Sequence, residues 1–540
     1  MIRNLAIFLA IGALSSGQSP AAAKPGKLEG TVINSVTNEP VKKATVTLQS
    51  MRGTTNYSAV TDASGHFHFD SVEPGQYQTV GYRDGFVPSL GNRFGPMIKP
   101  VTVAAEQQVS DLTVKLIPLA VVSGHVLDED GDPLVYAQVM AMHYVYGQGG
   151  ARRLQPGGFA VCNDLGEFQF LDLEPGRYYF MASTRGQLER LPPNTKYAGP
   201  EQAYPQTFYP SAAEAAQATA TVVTAGAQIN GIDFRLRKAP AFHVRGKAFD
   251  EDGGPPRNTM VRLQGSINRF PMANARVRAN GTFDLPAVVS GSYMLYLQSP
   301  KMLAVHQAVE VGDHDVNDVA IVLHPEFEIS GKMRREENSA APARESRMGV
   351  NLVPTEPGRA AGSPVNPDGT FKLKIMPGEY HINAMCDAGA YLKSARLGDQ
   401  DVANGKIDLT QQSVGVLDLV CGIDVGRLQG AVQNENGEPA SGALITINPD
   451  DEHRNRFDLY QVLRSDQNGR FDYQDFAPGN YKVFAWEGSD LNPQVLQSAE
   501  FRKAFESRAE PVTIAPGGKA SVQLKLISAR DIEAEKDKLP

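Results

Sequence analysis

The chain has 540 residues, which corresponds to roughly three to four domains of about 150 residues each. Its 51 glycines, 36 prolines, 41% hydrophobic and 21% charged residues are typical of turn-rich globular domains and exclude a disordered or collagen-like chain. A formal net charge of −8 disfavours polyanionic partners, so we expect no nucleic-acid binding.

Residues 1–23 have the pattern of a signal peptide, with a basic start, an apolar run over 5–14 and small residues before the cleavage position. The run is about half of the ~20 residues that cross a bilayer, and no later stretch reaches that length. Because the first cysteine is Cys162, a lipid anchor directly after the run is excluded. We expect a mature chain from Lys24 that is secreted or periplasmic, with no transmembrane segment.

One sequence cassette recurs five times in the rest of the chain. Each copy has a turn glycine, a Phe two residues later, a second glycine, and a Tyr two residues after that. The two glycines are ten residues apart, except in the fourth copy, where they are nine apart. The copies are TDASGHFHFDSVEPGQY, NDLGEFQFLDLEPGRY, RANGTFDLPAVVSGSY, NPDGTFKLKIMPGEY and DQNGRFDYQDFAPGNY.

The cassette predicts a hairpin turn, a strand, a second turn and another strand. Glycine supplies the positive φ of the hairpin turn, and the alternation that follows places the Phe side chain in a core. The Tyr begins the next strand, with its ring in the core and its hydroxyl at the end of the sandwich. The turn glycines are Gly65, Gly166, Gly281, Gly369 and Gly469; the phenylalanines are Phe67, Phe168, Phe283, Phe371 and Phe471; the tyrosines are Tyr77, Tyr178, Tyr293, Tyr380 and Tyr481.

Each cassette lies in a unit of about seven short strands, because alternating apolar segments also precede and follow it. With no segment of clear helical periodicity, we predict an all-β fold, a tandem array of five antiparallel β-sandwich domains, which we number repeats 1 to 5. The predicted boundaries are 24–118, 119–239 with an insertion at 186–219, 240–326, 327–425, 426–528 and, for a charged tail, 529–540.

The cassette, together with an upstream Gly-x-Pro turn and an Ala-x-Val-x-Leu strand, resembles the carboxypeptidase regulatory-like domain family. The resemblance implies a transthyretin-like (prealbumin-like) or Ig-like sandwich, a fold also grouped with carbohydrate-binding-like folds. It covers nearly the whole mature chain, although repeats 3 and 4 depart from the pattern. Because such sandwiches serve diverse functions, the fold alone does not select one.

Catalytic motifs are absent from the sequence. No histidine has Glu at the third following position, and the His-Glu-x-x-His, Gly-x-Ser-x-Gly, P-loop and dinucleotide signatures do not occur. We therefore predict a protein that is not an enzyme and has no cofactor. His125 with Asp128 is a weak zinc candidate, and the acidic turns at 128–132 and 250–254 are explained by turn chemistry rather than calcium binding.

A speculative metal site lies in repeat 1. His66, His68 and Asp70 share the outward face of one predicted strand, because alternate residues point the same way, and two imidazoles could chelate a surface ion. We favour the alternative, a polar solvent face opposite the buried Phe67 and Phe69.

Repeat 2 contains the segment VYAQVMAMHYVY, which is apolar on both faces. One face carries Tyr136, Tyr144 and Tyr146, which solvent alone should not cover. Either this face is an aromatic patch for a ligand or partner, or the insertion at 186–219 covers it, which we favour.

The three cysteines are too few for a disulfide scaffold. Cys386 and Cys421 lie on the apolar phase of two candidate strands. If those strands were antiparallel neighbours, the cysteines would lie at opposite ends of the pair, beyond the ~7 Å Cα limit for a bridge. We therefore favour two buried thiols over a disulfide.

In repeat 5, Phe484 and Trp486 lie on the opposite phase from Tyr481. Rings that project from a sandwich can stack on sugar rings. The alternative, which we favour, is packing against repeat 4, because sugar-binding modules usually display several tryptophans and this chain has one.

Together, these features predict an exported binding or structural module at the cell envelope. The family resemblance suggests a polysaccharide or glycoconjugate ligand, for which Phe484, Trp486, Tyr136, Tyr144 and Tyr146 are the candidate residues. A second hypothesis is a scaffold or adhesin that engages an envelope protein through sheet edges or the aromatic patch. A third is an accessory subunit of a peptidase.

Overall fold

The computed structural model confirms the predicted all-β class, a tandem series of β-sandwich domains. The chain divides into two compact units, the first ending at Leu119 and containing repeat 1, the second beginning at Ala120 and containing repeats 2 to 5. The predicted signal peptide and the 186–200 part of the predicted insertion lie outside the described residues. The structure describes residues 24–51, 55–87, 101–147, 150, 152–184, 201–250, 252–265, 271–298, 303–336, 348–355, 360–410, 415–488, 493–536 and 538.

Repeats 1 and 2 each have two sheets around one hydrophobic cluster. The strands of repeat 1 are β1 (Gly26–Asn34), β2 (Thr45–Ser50), β3 (Tyr57–Val60), β4 (His66–Val72), β5 (Gly75–Tyr82), β6 (Phe86–Val87), β7 (Val101–Val103) and β8 (Gln108–Pro118). Those of repeat 2 are β9 (Ala120–Leu127), β10 (Gln138–Tyr146), β11 (Arg152–Val161), β12 (Glu167–Leu173), β13 (Gly176–Ser183), β14 (Gln202–Ala203), β15 (Thr207–Phe208), β16 (Thr221–Val223), β17 (Gln228–Ile229) and β18 (Phe234–Arg235). The sheet orders are β4-β1-β8-β6 and β3-β2-β5-β7 in repeat 1, and β12-β9-β17 and β11-β10-β13-β15 in repeat 2.

Repeats 3 and 4 have the same two-sheet plan. The strands of repeat 3 are β19 (Ala239–Phe249), β20 (Met260–Gly265), β21 (Pro271–Arg276), β22 (Thr282–Val289), β23 (Gly291–Gln298), β24 (Leu303–Val311) and β25 (Val316–Val322). Those of repeat 4 are β26 (Phe327–Arg335), β27 (Gly349–Pro354), β28 (Ala361–Pro364), β29 (Thr370–Ile375), β30 (Glu379–Met385), β31 (Tyr391–Leu397), β32 (Gln400–Asp401), β33 (Lys406–Asp408) and β34 (Leu417–Gly422).

Repeat 5 joins its two halves into one seven-stranded sheet and adds three helices, of which the sequence pattern did not predict α1 and α2. Its strands are β35 (Gly426–Gln433), β36 (Leu444–Pro449), β37 (Gln461–Arg464), β38 (Arg470–Phe476), β39 (Gly479–Trp486), β40 (Glu510–Ile514) and β41 (Lys519–Ile527). Its helices are α1 (Pro493–Gln497), α2 (Ala499–Lys503) and α3 (Ala529–Lys536), the last formed by the predicted charged tail.

The first strand of each repeat lies between two hydrogen-bonded neighbours. It pairs antiparallel with the strand of the cassette Phe and parallel with the closing segment of the repeat, as β19 does with β22 and β25. A glycine of the first strand lies directly opposite the Phe in all five copies: Gly30 and Phe67, Gly124 and Phe168, Gly246 and Phe283, Gly331 and Phe371, Gly430 and Phe471.

These glycines are required by close approach rather than by φ. A Cβ at Gly246 would lie 2.0 Å from the carbonyl oxygen of Val319 and 2.7 Å from Cζ of Phe283. The Phe ring and the closing strand therefore share the space that a side chain would fill.

Turn chemistry fixes the ends of the cassette as predicted. The five turn glycines have φ between 71 and 82°. Each cassette Tyr is buried, and its hydroxyl donates to the carbonyl four residues earlier at 2.7–3.0 Å. Burial raises the pKa of Tyr77, Tyr178 and Tyr293 to about 12.

The expectation that Cys386 and Cys421 remain thiols is wrong. They form a disulfide with a Cα–Cα distance of 6.0 Å. Cys386 directly follows β30 and Cys421 lies in β34, which belong to different sheets. The prediction assumed neighbouring strands of one sheet, whereas the cysteines meet across the sandwich. Cys162 is free and buried, and burial raises the pKa of its thiol to about 11.

Candidate functional site

The structure contradicts the predicted projection of Phe484 and Trp486. Both side chains have no exposed surface, and their rings stack at 5.3 Å beneath a cap formed by α1, α2 and α3. The Trp486 indole N–H donates to Thr446 Oγ1 at 2.9 Å. They cannot serve as a sugar platform on the surface, because Phe501, Ile532 and neighbouring apolar residues of the cap cover them. The cover comes from repeat 5 itself, not from repeat 4.

The tyrosines of repeat 2 do not form one open patch. Tyr136 is 62% exposed, whereas Tyr144 packs edge-on against Tyr179 at 5.6 Å and has the Arg152 guanidinium 4.3 Å from its ring centre. Burial raises the pKa of the half-buried Tyr146. The apolar face between them is covered from within the chain, by Phe208 and Ala215 and the residues around them, as we favoured from the sequence. The part of the cover predicted at 186–200 lies outside the described residues.

The tip of the hairpin formed by β10 and β11 contacts repeat 5. An added Cβ at Gly150 would lie 2.2 Å from Ser498, so the two backbones are in direct contact. Beside it, Arg152 lies 3.7 Å from the Glu500 carboxylate of α2. Two domains that are distant in the sequence therefore share an interface.

His66, His68 and Asp70 lie on the exposed face of β4, where the sequence placed them. His68 Nε2 lies 3.8 Å from Asp70 Oδ2. Across the part of the chain that the structure describes, no group of three His, Cys, Asp or Glu side chains has an arrangement that could hold a metal ion.

The acidic turns are capped by their own first residue. Asp128 Oδ1 accepts the backbone N–H groups of Asp130 at 3.0 Å and Asp132 at 2.9 Å. Asp250 Oδ1 accepts the N–H of Gly254 at 2.8 Å. Nearby, His125 Nδ1 contacts Asp233 at 3.0 Å. These contacts are the turn chemistry expected from the sequence.

A charged cluster surrounds His243 at the start of repeat 3. Its Nδ1 lies 2.5 Å from Asp284 Oδ1 and its Nε2 lies 2.9 Å from Glu201 Oε1. A neutral imidazole has one N–H and could donate to only one of them, so the geometry fits the imidazolium. Burial lowers the pKa of His243, but its hydrogen bonds to Asp284 and Glu201 outweigh this and raise the pKa above the ordinary 6.5. Arg245 adds a 2.6 Å ion pair with Asp315.

A cleft runs along the junction between repeats 4 and 5, both within the second unit. Its two lobes have volumes of ≈ 260 and ≈ 490 Å³ and share Tyr391 and Leu392 of repeat 4 with Leu459 and Ala477 of repeat 5. Domain junctions of this kind are frequent sites for small ligands.

Arg456 fixes the two walls of the cleft. The guanidinium is almost fully buried and donates to the carbonyl oxygens of Leu392 at 2.8 Å and Ala403 at 3.0 Å, both in repeat 4. It also makes a two-point ion pair with Asp458 at 2.8 and 2.7 Å. A buried charge with all these partners holds the junction in one geometry.

The two lobes offer different chemistry. The smaller one is lined by Tyr473, Gln461, Asp387 and Asp475, and the Tyr473 hydroxyl donates to Gln461 Oε1 at 3.2 Å. The larger one adds Lys393, Asn404, Glu452 and His453. Aromatic faces beside amide and carboxylate groups suit a ligand with both apolar faces and hydroxyl groups, such as a sugar ring.

Sequence reasoning missed this cleft. Its residues come from two repeats, and none belongs to a known motif. The segment 450–460, DDEHRNRFDLY, is a signal that could have led to it, because it places eleven mostly polar residues between the buried strand β36 and the next strand, β37.

Comparison with known proteins supports the family resemblance for repeat 1. The family model described as carboxypeptidase regulatory-like domain matches residues 27–116. No curated protein matches the sequence. Among the described residues, no helix is both long and apolar enough to span a membrane.

Several solved structures are similar to parts of this chain. A Bacillus anthracis TIE protein is 8% identical, with 75% of this chain and 73% of that chain covered and a TM-score of 0.16. A streptococcal ancillary pilin is 10% identical, covering 53% of this chain and 98% of its own, with a TM-score of 0.19. Two B repeat units of the collagen-binding protein of Staphylococcus aureus are 11% identical, covering 74% and 100%, with a TM-score of 0.13. At these TM-scores the similarity carries no functional argument.

Proposed function

We propose that this chain, whose first repeat matches the carboxypeptidase regulatory-like domain, is an exported, non-enzymatic binding protein of the cell envelope that holds a polysaccharide or glycoconjugate. The observation that carries the proposal is the cleft between repeats 4 and 5, where Arg456 links the two walls, which carry Tyr391 and Tyr473. A sugar would place an apolar ring face on tyrosine and its hydroxyls on Gln461 and Asp475.

Isothermal titration calorimetry of the mature chain against a series of neutral oligosaccharides tests the proposal. The combined variant Tyr473→Leu and Asp475→Asn should weaken binding by roughly tenfold. Tyr82→Leu is the matched control, because Tyr82 is an exposed tyrosine of repeat 1. Equal affinity in the cleft variant and the wild type would exclude the cleft as the site.

A protein scaffold is the second candidate, supported by the edge strand β11. This strand has ten residues, and its Phe159 and Val161 side chains are 57% and 47% exposed. Exposed apolar side chains at the end of an edge strand are suited to strand addition by a partner. The scaffold is favoured if no saccharide binds and Phe159→Asp reduces retention of the chain on purified envelopes.

A further inference from the structure

Repeat 3 breaks the turn rule that the other four repeats follow. The residue that opens the cassette hairpin is Asp or Asn in those four repeats. In all five repeats the backbone N–H of this residue donates to the carbonyl oxygen of the residue four positions later. In repeats 1, 2 and 5 its side-chain oxygen also caps two backbone N–H groups of the turn. Repeat 3 has Arg278 at this position, which has no acceptor atom and extends into solvent.

Lys247 stands beside Arg278. It lies in β19 directly opposite Thr282, whose carbonyl accepts the N–H of Arg278 at 2.8 Å. Within the described residues, no carboxylate pairs with the Lys247 ammonium or the Arg278 guanidinium, whereas Arg245 on the same face is neutralised by Asp284 and Asp315. Two uncompensated cations in a chain of net charge −8 form a local positive site that the average charge conceals.

The two cations border an open groove of ≈ 580 Å³ on the outer face of β19, β22 and β25. The groove also presents the amides of Asn280 and Asn317, the hydroxyl of Thr282 and the half-buried ring of Phe249. Asp318 and Asp284 are its acidic lining residues, and Asp284 is paired with Arg245. Amides and a hydroxyl can bind sugar hydroxyls, and an aromatic ring offers a flat apolar surface.

We propose that this groove binds an oligosaccharide that carries carboxylates, of the uronic acid class. Lys247 and Arg278 would hold the carboxylates, the amide side chains the hydroxyls, and Phe249 one ring face. The site goes beyond the proposed function, because it is separate from the cleft of repeats 4 and 5 and takes a charged ligand.

Calorimetric titration of the mature chain with oligogalacturonate tests the inference. We expect binding that weakens as salt is added, and at least tenfold lower affinity in the variant Lys247→Gln with Arg278→Asn. Arg278→Asn introduces the residue that repeat 4 has at this turn, so the melting temperature of this variant should not fall. A loss of binding in a variant with an unchanged melting temperature is then not caused by a loss of folding. Lys332→Gln is the matched control, since Lys332 occupies the position of Lys247 in repeat 4, opposite Thr370.

Three results would overturn the inference. One is unchanged affinity in the double variant. Another is an equal loss in Lys332→Gln, which would mean unspecific attraction to surface charge. The third is equal binding of polyglutamate, which would assign the groove to acidic polypeptides. The cleft variant Tyr473→Leu with Asp475→Asn should bind oligogalacturonate normally, so this test and that of the proposed function can fail independently.

Discussion

At the scale of single residues, the glycine of each first strand is the clearest case in which packing decides the residue type, because there is no room for a side chain. In repeat 3 the neighbours of Gly246 on both sides, Val319 and Phe283, already occupy the position of a β-carbon. Neither group can move aside easily, because the Val319 oxygen belongs to the backbone of a paired strand and the Phe283 ring is packed in the core.

We therefore expect Gly246→Ala to lower the free energy of unfolding by about 1–3 kcal/mol, the usual effect of overpacking. Gly312→Ala, in the same repeat, is the control, because nothing lies within 4 Å of its added Cβ. Urea denaturation of both variants measures the difference. Equal stability of the two would mean that the close approach at Gly246 does not constrain the fold.

The environment of His243 predicts how its contribution to the free energy of unfolding changes with pH. Its pKa is raised in the folded state, so its stabilising contribution is complete below the unfolded value of 6.5 and is lost as the pH rises through the higher folded value. The charged groups around it are Glu201, Asp284, Asp315 and Arg245. Loss of the proton removes the imidazole donor from either Glu201 or Asp284, because a neutral imidazole has one N–H.

Thermal melts of the wild type and His243→Gln between about pH 6 and about pH 9 check this sign. The difference in melting temperature between the two proteins should shrink as the pH rises. A constant difference across that range would contradict the imidazolium bridge.

At the scale of elements, the helical cap of repeat 5 decides the environment of the single tryptophan. Ile532 of α3 is fully buried against the cluster that contains Trp486 and Phe501. Ile532→Ala should lower stability by roughly 2–5 kcal/mol, and we expect a red shift of the tryptophan emission because water reaches the ring. Glu533→Gln, a change on the exposed side of the same helix, should have neither effect. Native emission in Ile532→Ala would show that the cap is not held by this contact.

Strand elements were predictable from the sequence, whereas the cap was not. The cassette Phe is recognised by the alternation of apolar residues along a strand, and the turn glycine by the need for a positive φ. Both requirements involve only a few neighbouring residues, so they can be read from the sequence. Helices α1 and α2 have five residues each, too short to display a helical period, and they are stabilised by burial of Leu496 and Phe501 in the cluster that contains Trp486. The Cys386–Cys421 bridge escaped prediction for a related reason, since it depends on how two sheets face each other.

At the scale of the whole molecule, the second unit is held together by contacts between repeats. Arg456 ties repeat 5 to repeat 4, and its removal leaves the half-buried Asp458 without its cation. Loss of one partner of a buried pair costs about 3–5 kcal/mol. We expect Arg456→Met to lower the stability of the junction and to separate the unfolding of repeats 4 and 5 in calorimetry.

The exposed Arg454→Met is the control for Arg456→Met and should unfold as the wild type does. Adding Asp458→Leu to Arg456→Met should recover part of the lost stability, because no buried charge then remains unpaired. A single unchanged transition in Arg456→Met would mean that apolar contacts alone couple the two repeats. The candidate cleft at this junction could not have been predicted from either repeat, because each contributes only one wall.

The contact of Gly150 with Ser498 sets an order on the maturation of the chain. Gly150 precedes Ser498 by 348 residues, so a repeat 2 that folds during synthesis does so before its partner surface exists. A chain that ends before α1 lacks Ser498 together with β40 and β41, so it leaves uncovered both this hairpin tip and the edges of β35 and β39 that those strands pair with.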